Sequence, residues 1–146
     1  MKLSTKGRYG LRALIDLAAH RSLGHQSLYN IARRQKVSEI YLEQVFSVLR
    51  KNGIVKSVKG AQGGYFLHAD PEKTTVKQLL EILEGDLRVV DPIEETDRTS
   101  KLITKCLYEK VWQKVDQAVE EMLEDITLED MVQKYYKTAV ENMYYI

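Results

Sequence analysis

Between residues 42 and 67 the spacing of apolar side chains changes, and that change limits the folds open to this chain. Leu42, Val45, Phe46 and Leu49 recur at i, i+3, i+4 and i+7, the stripe of an amphipathic helix. Asn52-Gly53 then supplies a stop suited to left-handed backbone. Residues 54–58 alternate as a strand, residues 59–64 form a glycine-rich turn, and Tyr65-Phe66-Leu67 returns as a second strand. Upstream, Ser27 caps a short helix whose Leu28, Ile31 and Ala32 face inward, and Ser38 caps the helix that carries the Leu42 stripe. Two helices joined by a tight turn make a helix-turn-helix, and a hairpin directly after it is a wing.

The flanks extend this unit. Residues 5–20 read as a helix with Leu11, Leu14, Ile15 and Ala18 on one face. After the wing, Thr75 caps a helix with Val76, Leu79, Leu80 and Leu83 on one side and Gly85 at its end. Residues 86–99 are polar, contain Pro92 and read as a loop. A long helix is expected over residues 100–126. Its Tyr108, Trp112, Val115, Val119, Met122 and Ile126 step alternately by four and three, a near-heptad stripe. That stripe suits packing between two chains, and equally the inner face of a single chain's longest helix. Packing between chains is preferred because the preceding domain is expected to close its own core. Thr127 starts a final helix with acids in its first turn. The expected fold is therefore mostly α with a small β-hairpin wing. Its parts are a winged helix-turn-helix domain (1–85), a loop (86–99), a long dimerisation helix (100–126) and a C-terminal helix with a tail (127–146).

Charge is divided along the chain. Residues 1–69 hold twelve Lys or Arg against three acids, a net +9, and residues 70–146 hold ten against eighteen, a net −8. A concentrated positive patch attracts a polyanion by releasing its counterions, whereas the bland reading is two solvated faces of opposite sign. No run of about 18 apolar residues exists and the N-terminus has no apolar stretch of a secretory signal, so a cytoplasmic location is expected. The three histidines, His20, His25 and His68, have no metal-ligand spacing, and the Gly60 to Gly64 turn joins two strands rather than a strand and a helix. No catalytic residue, cofactor or metal is expected.

A duplex-binding reading assigns roles to residues. The N-terminal end of a recognition helix reaches base edges in the major groove, which here means Ser38, Glu39, Ile40, Tyr41, Glu43 and Gln44. Glu43 can accept from cytosine N4 or stand solvated, and Gln44 can pair with adenine or face water. Lys59 beside Gly60 at the wing tip suits a minor groove, or is one more solubilising charge. Arg8, Arg33, Arg34, Arg50 and Lys51 are expected at phosphates, which position without specifying.

These segments also carry a resemblance. Residues 4–10 (Ser-Thr-Lys-Gly-Arg-Tyr-Gly), Tyr41-Leu42-Glu43-Gln44, Leu49-Arg50-Lys51-Asn52-Gly53, residues 60–65, Leu83-Glu84-Gly85 and Thr127-Leu128-Glu129-Asp130 together resemble the Rrf-two family of bacterial winged-helix regulators. The resemblance implies a homodimer with crossed long helices, a base-reading acid at Glu43 and a wing-tip basic residue at Lys59. Cluster-binding members carry three cysteines before and at the start of the long helix. This chain has only Cys106, and iron–sulfur clusters usually need four thiolates, so cluster sensing is rejected and Cys106 is expected to be a small buried hydrophobe. The chain is most similar to the family's cluster-free branch, the cysteine-metabolism repressors. That likeness implies cysteine synthase as co-regulator, docked by Tyr144, Tyr145 and Ile146 with a terminal carboxylate that mimics the enzyme's amino-acid substrate. A metabolite competing for the synthase site, such as O-acetylserine, would then relieve repression. The competing reading is a protein-interaction subunit whose main task is to modulate a metabolic enzyme, or a repressor answering a different signal.

Overall fold

A computed structural model describes residues 2–91 and 97–144. Seven α-helices and one hairpin follow in the order α1 (Thr5–Ala19), α2 (Leu28–Gln35), α3 (Glu39–Lys51), β1 (Val55–Val58), β2 (Gly64–Leu67), α4 (Val76–Glu84), α5 (Arg98–Leu107), α6 (Gln113–Glu124) and α7 (Leu128–Met143). The mostly helical fold with a two-stranded wing is the one the periodicity predicts. The caps also stand where the sequence puts them. Ser27, Ser38 and Thr75 each accept from the backbone N–H three residues on, and Thr127 with Asp130 closes a reciprocal capping box.

The main core joins Leu14 and Leu17 of α1, Ile31 of α2, Leu42, Val45, Phe46 and Leu49 of α3, and Leu79 and Leu83 of α4. Gly10 permits this closeness. A Cβ there would lie 2.8 Å from Leu83 Cδ1 and 3.3 Å from Val45 Cγ1, so a larger residue would push α1 off both neighbours. The wing pairs Val55 with Leu67 and Val58 with Gly64 in antiparallel register. Gln26 extends it with a further bridge, exchanging 2.8 Å backbone bonds with Tyr65 in both directions.

Two expectations need correction here. The core of residues 1–85 is not closed by those residues alone, because Leu128 and Val132 of α7 are fully buried within it. An antiparallel bridge between Thr75 and Thr127 anchors α7, with Val76 donating to the Ile126 carbonyl and Leu128 to that of Thr74. Residues 1–85 are therefore not a self-sufficient domain that leaves the rest of the chain free for a partner. The long helix itself starts at Arg98 and is interrupted by a π-turn over Tyr108–Trp112 before α6 resumes. One residue of extra winding rotates the downstream stripe relative to the upstream one. Within the expected loop, Leu87 is buried against Val76 and Leu80.

Candidate nucleic-acid interface

Helix α3 presents its N-terminal end to solvent because its apolar stripe faces the opposite way. Ser38, Glu39, Ile40, Glu43 and Gln44 are exposed, and Ile40 is 71% accessible. Leu42, Val45 and Phe46 hold the helix in the core from behind. An exposed helix end of this shape can enter a major groove with its acids and amide aimed at base edges. The wing tip projects separately. Lys59 and Gly60 are exposed, and Gly60 has φ +113°, left-handed backbone that favours glycine. His25 Nε2 lies 2.6 Å from the Gln62 carbonyl and ties the tip to the strand edge. Arg8, Arg33, Arg50 and Lys51 are exposed.

One residue assigned to this surface from sequence is turned away from it, and a second is held by partners within the chain. Tyr41 is turned inward, with its ring edge-on to Tyr9 at 6.4 Å and its hydroxyl buried without a hydrogen-bond partner. Burial pushes its phenol pKa up, with the Glu84 charge adding to the effect. The side chain supports α3 and does not reach a base. Arg34 is exposed but engaged by the chain's own side chains. Its Nε donates to both Asp16 carboxylate oxygens at 3.1 and 3.0 Å, and its Nη2 donates to Asp16 Oδ1 at 2.6 Å and to Gln26 Oε1 at 3.1 Å. Four contacts from two nitrogens thus commit Nε and Nη2 to Asp16 and Gln26.

Other residues went unread in the sequence. Tyr29 is 58% exposed near the start of α2, the helix that crosses the backbone in this motif, and a phenol there can donate to phosphate. Arg12 lies over the Tyr9 ring at 5.0 Å and donates to the Gln35 carbonyl at 2.8 Å, joining α1 to the end of α2. An aromatic on the first turn of α2 was the available signal for Tyr29. Nothing local distinguishes Arg12.

The long-helix stripe divides in two. Tyr108, Val115 and Met122, seven residues apart, are exposed, as are Leu102 and Ile103 of α5. Trp112 and Val119 are half-buried. Ile126 is no part of an outward face, because it packs on the chain's own Val76, Leu80 and Leu87. Cys106 is exposed on α5, not buried as expected. At the other end Met143 and Tyr144 are 74% and 84% exposed, while Tyr145 and Ile146 lie outside the described residues.

A family model of iron-dependent transcriptional regulators, Rrf2, matches residues 3–134. The chain belongs to the Rrf2 family. Along its full length it is 38% identical to the HTH-type transcriptional regulator CymR of Bacillus subtilis, all of which is covered. It is 36% identical over 133 residues to the HTH-type regulator IscR of Pectobacterium atrosepticum, covering 90% of this chain and 79% of that one. Among solved structures it superposes on CymR (YrzC), the global cysteine regulator of B. subtilis, with a TM-score of 0.74 at 39% identity, covering 92% of this chain and 98% of that one. An IscR structure from T. potens gives a TM-score of 0.69 at 41% identity, covering 92% and 88%. As an Rrf2 protein of this type the chain is a transcriptional regulator with a winged-helix DNA-binding fold and not an enzyme. The iron dependence in the family's description does not fit the donors present. Cys106 is the one cysteine of the sequence, and among the described residues no three His, Cys, Asp or Glu side chains gather as a metal site.

Proposed function

We propose that this Rrf2 protein is a cytoplasmic, sequence-specific DNA-binding repressor that acts as a homodimer on genes of cysteine or sulfur metabolism. The observation that carries the reading is the exposed N-terminal end of α3, with Glu43 and Gln44 turned outward inside a segment of net charge +9. Carboxylates are unwelcome beside phosphates unless they meet a donor, and cytosine N4 is a major-groove donor that a glutamate can accept from. Lys59 reaches the minor groove from the wing, and Arg8, Arg33, Arg50 and Lys51 hold the phosphates. Homodimer formation covers Leu102, Ile103, Tyr108, Val115 and Met122, large apolar side chains that a single chain leaves exposed. Two recognition helices then address major grooves about 34 Å apart on a pseudo-palindromic site. The link to cysteine metabolism rests on the likeness to CymR.

A second reading, that the chain also binds cysteine synthase through its C-terminal end, is favoured by the exposure of Met143 and Tyr144 where α7 stops. One titration series separates the two. Promoter duplexes are titrated at several salt concentrations with and without cysteine synthase. The repressor reading expects a sequence-specific complex whose log affinity falls with log salt by about 0.9 per neutralised phosphate. Without any specific complex in either condition, only the enzyme-binding role survives. Glu43→Ala is expected to relax base preference more than total affinity, and deletion of Ile146 to abolish capture of the synthase while the DNA complex persists.

A further inference from the structure

Ile40 is the one large apolar side chain on the exposed tip of α3, and its surroundings set it apart from the other accessible apolar residues. Leu102, Ile103, Val115 and Met122 run along the α5–α6 face, and Tyr135, Val140, Met143 and Tyr144 lie along or just after α7. Each of those groups holds several exposed apolar side chains. Ile40 has Glu39, Glu43 and Gln44 as its exposed helical neighbours, so α3 adds no further exposed apolar side chain beside it. Its backbone is fixed by the Ser38 cap, whose Oγ accepts from Tyr41 N at 3.3 Å. Branching at Cβ stiffens its first torsion, so the same methyl surface is presented each time.

We propose that Ile40 selects thymine, by packing on the C5 methyl group beside the base that Glu43 reads. This deepens the DNA-binding reading above and rests on it. The thymine methyl is the apolar group that base edges display in the major groove, whereas the other groups there are hydrogen-bond donors and acceptors that a branched alkyl chain cannot satisfy. Residues three apart on a helix place their Cβ atoms about 5–6 Å from each other. Successive bases of one strand are about 3.4 Å apart along the axis. The thymine therefore falls one or two base pairs from the cytosine whose N4 donates to Glu43. The two side chains exclude different errors, because a carboxylate rejects bases without a donor and an isoleucine gains nothing from bases without a methyl.

The test uses the full-length chain and duplexes recovered with it from a randomised pool. Each thymine of a recovered site is replaced singly by uracil, which removes the methyl and leaves pairing intact. One position per half-site is expected to lose about fourfold in affinity, the worth of burying one such group. Ile40→Ala is expected to lose a similar factor on the thymine duplex and to become indifferent to uracil at that position alone. Uniform indifference of the unaltered protein to uracil would overturn the proposal while leaving specific binding intact, as would undiminished uracil sensitivity in Ile40→Ala. Recovery of no sequence from the pool would instead remove the DNA-binding reading itself. Ile40 is exposed on a first helical turn, so the variant keeps its core, and an unchanged far-ultraviolet circular dichroism spectrum verifies this.

Discussion

Arg34 on α2 grips Asp16 on α1 through both Nε and Nη2, with the shortest contact at 2.6 Å. The Asp16 side chain is only 3% exposed. Gln35 Nε2 donates to its second oxygen at 2.8 Å, and His20 Nδ1 stands 3.5 Å from the first. The hydrogen bond to Asp16 raises the Arg34 pKa further, so the guanidinium stays charged. Because Nη2 also reaches Gln26, whose backbone bridges Tyr65 of β2, one guanidinium ties α1, α2 and the wing together.

Arg34→Ala strands the Asp16 carboxylate and is expected to lower folding stability by about 3 kcal/mol, the low end for an uncompensated buried charge. Its effect on DNA is expected to be indirect. The log–log salt slope stays as in the unaltered protein, whereas Arg33→Ala, at the adjacent exposed position of the same helix, flattens it by about 0.9 per bound chain. Urea denaturation and salt-dependent binding titrations check the two halves. A flatter slope for Arg34→Ala would return that residue to the phosphate contacts.

Tyr41→Phe removes a buried hydroxyl that has no partner. It is expected to stabilise the fold by about 1 kcal/mol and to leave DNA affinity unchanged. Because burial raises this phenol's pKa, the folded state holds the proton more tightly than the unfolded one. The resulting contribution is complete below the ordinary phenol pKa of about 10 and is lost as pH rises above it. Thermal melts at neutral and strongly alkaline pH are expected to show a smaller alkaline decline for the variant.

Val115→Glu places a charge at the centre of the exposed stripe between Tyr108 and Met122. In a single chain the position is open to solvent, so helix α6 tolerates it. In the proposed homodimer the charge is buried without a partner, and the dimer dissociation constant is expected to rise about 100-fold or more. Sedimentation equilibrium reads the shift directly. Dissociation unchanged from the parent would place the dimer contact on another face.

Lys36 joins α2 to α3 with φ 55° and ψ 47°, left-handed backbone in a residue that carries a Cβ. Lys36→Gly is expected to relieve about 1 kcal/mol, and the melting temperature is expected to rise by about 3 °C. Differential scanning calorimetry is the measurement. A lower melting temperature would mean that the lysine side chain contributes more than its backbone conformation costs.

The boundaries of the first four helices, the wing, the caps and the outward tip of α3 were legible because each is written locally. Apolar spacing, a capping side chain or a glycine acts within a few residues of its effect, and the family likeness follows from the same short segments. What the tertiary structure decided was which partner a side chain meets. Arg34 resembles its basic neighbours until α1 brings Asp16 beside it, and Tyr41 resembles a base-reading aromatic until Tyr9 turns up behind it. Ile126 fits the heptad stripe yet joins the chain's own core, because the π-turn and the Thr75–Thr127 bridge settle the rotation and the end of the long helix. Periodicity specifies a face but not what that face covers, since the burial free energy is the same whether the opposing surface comes from α4, α7 or a second chain.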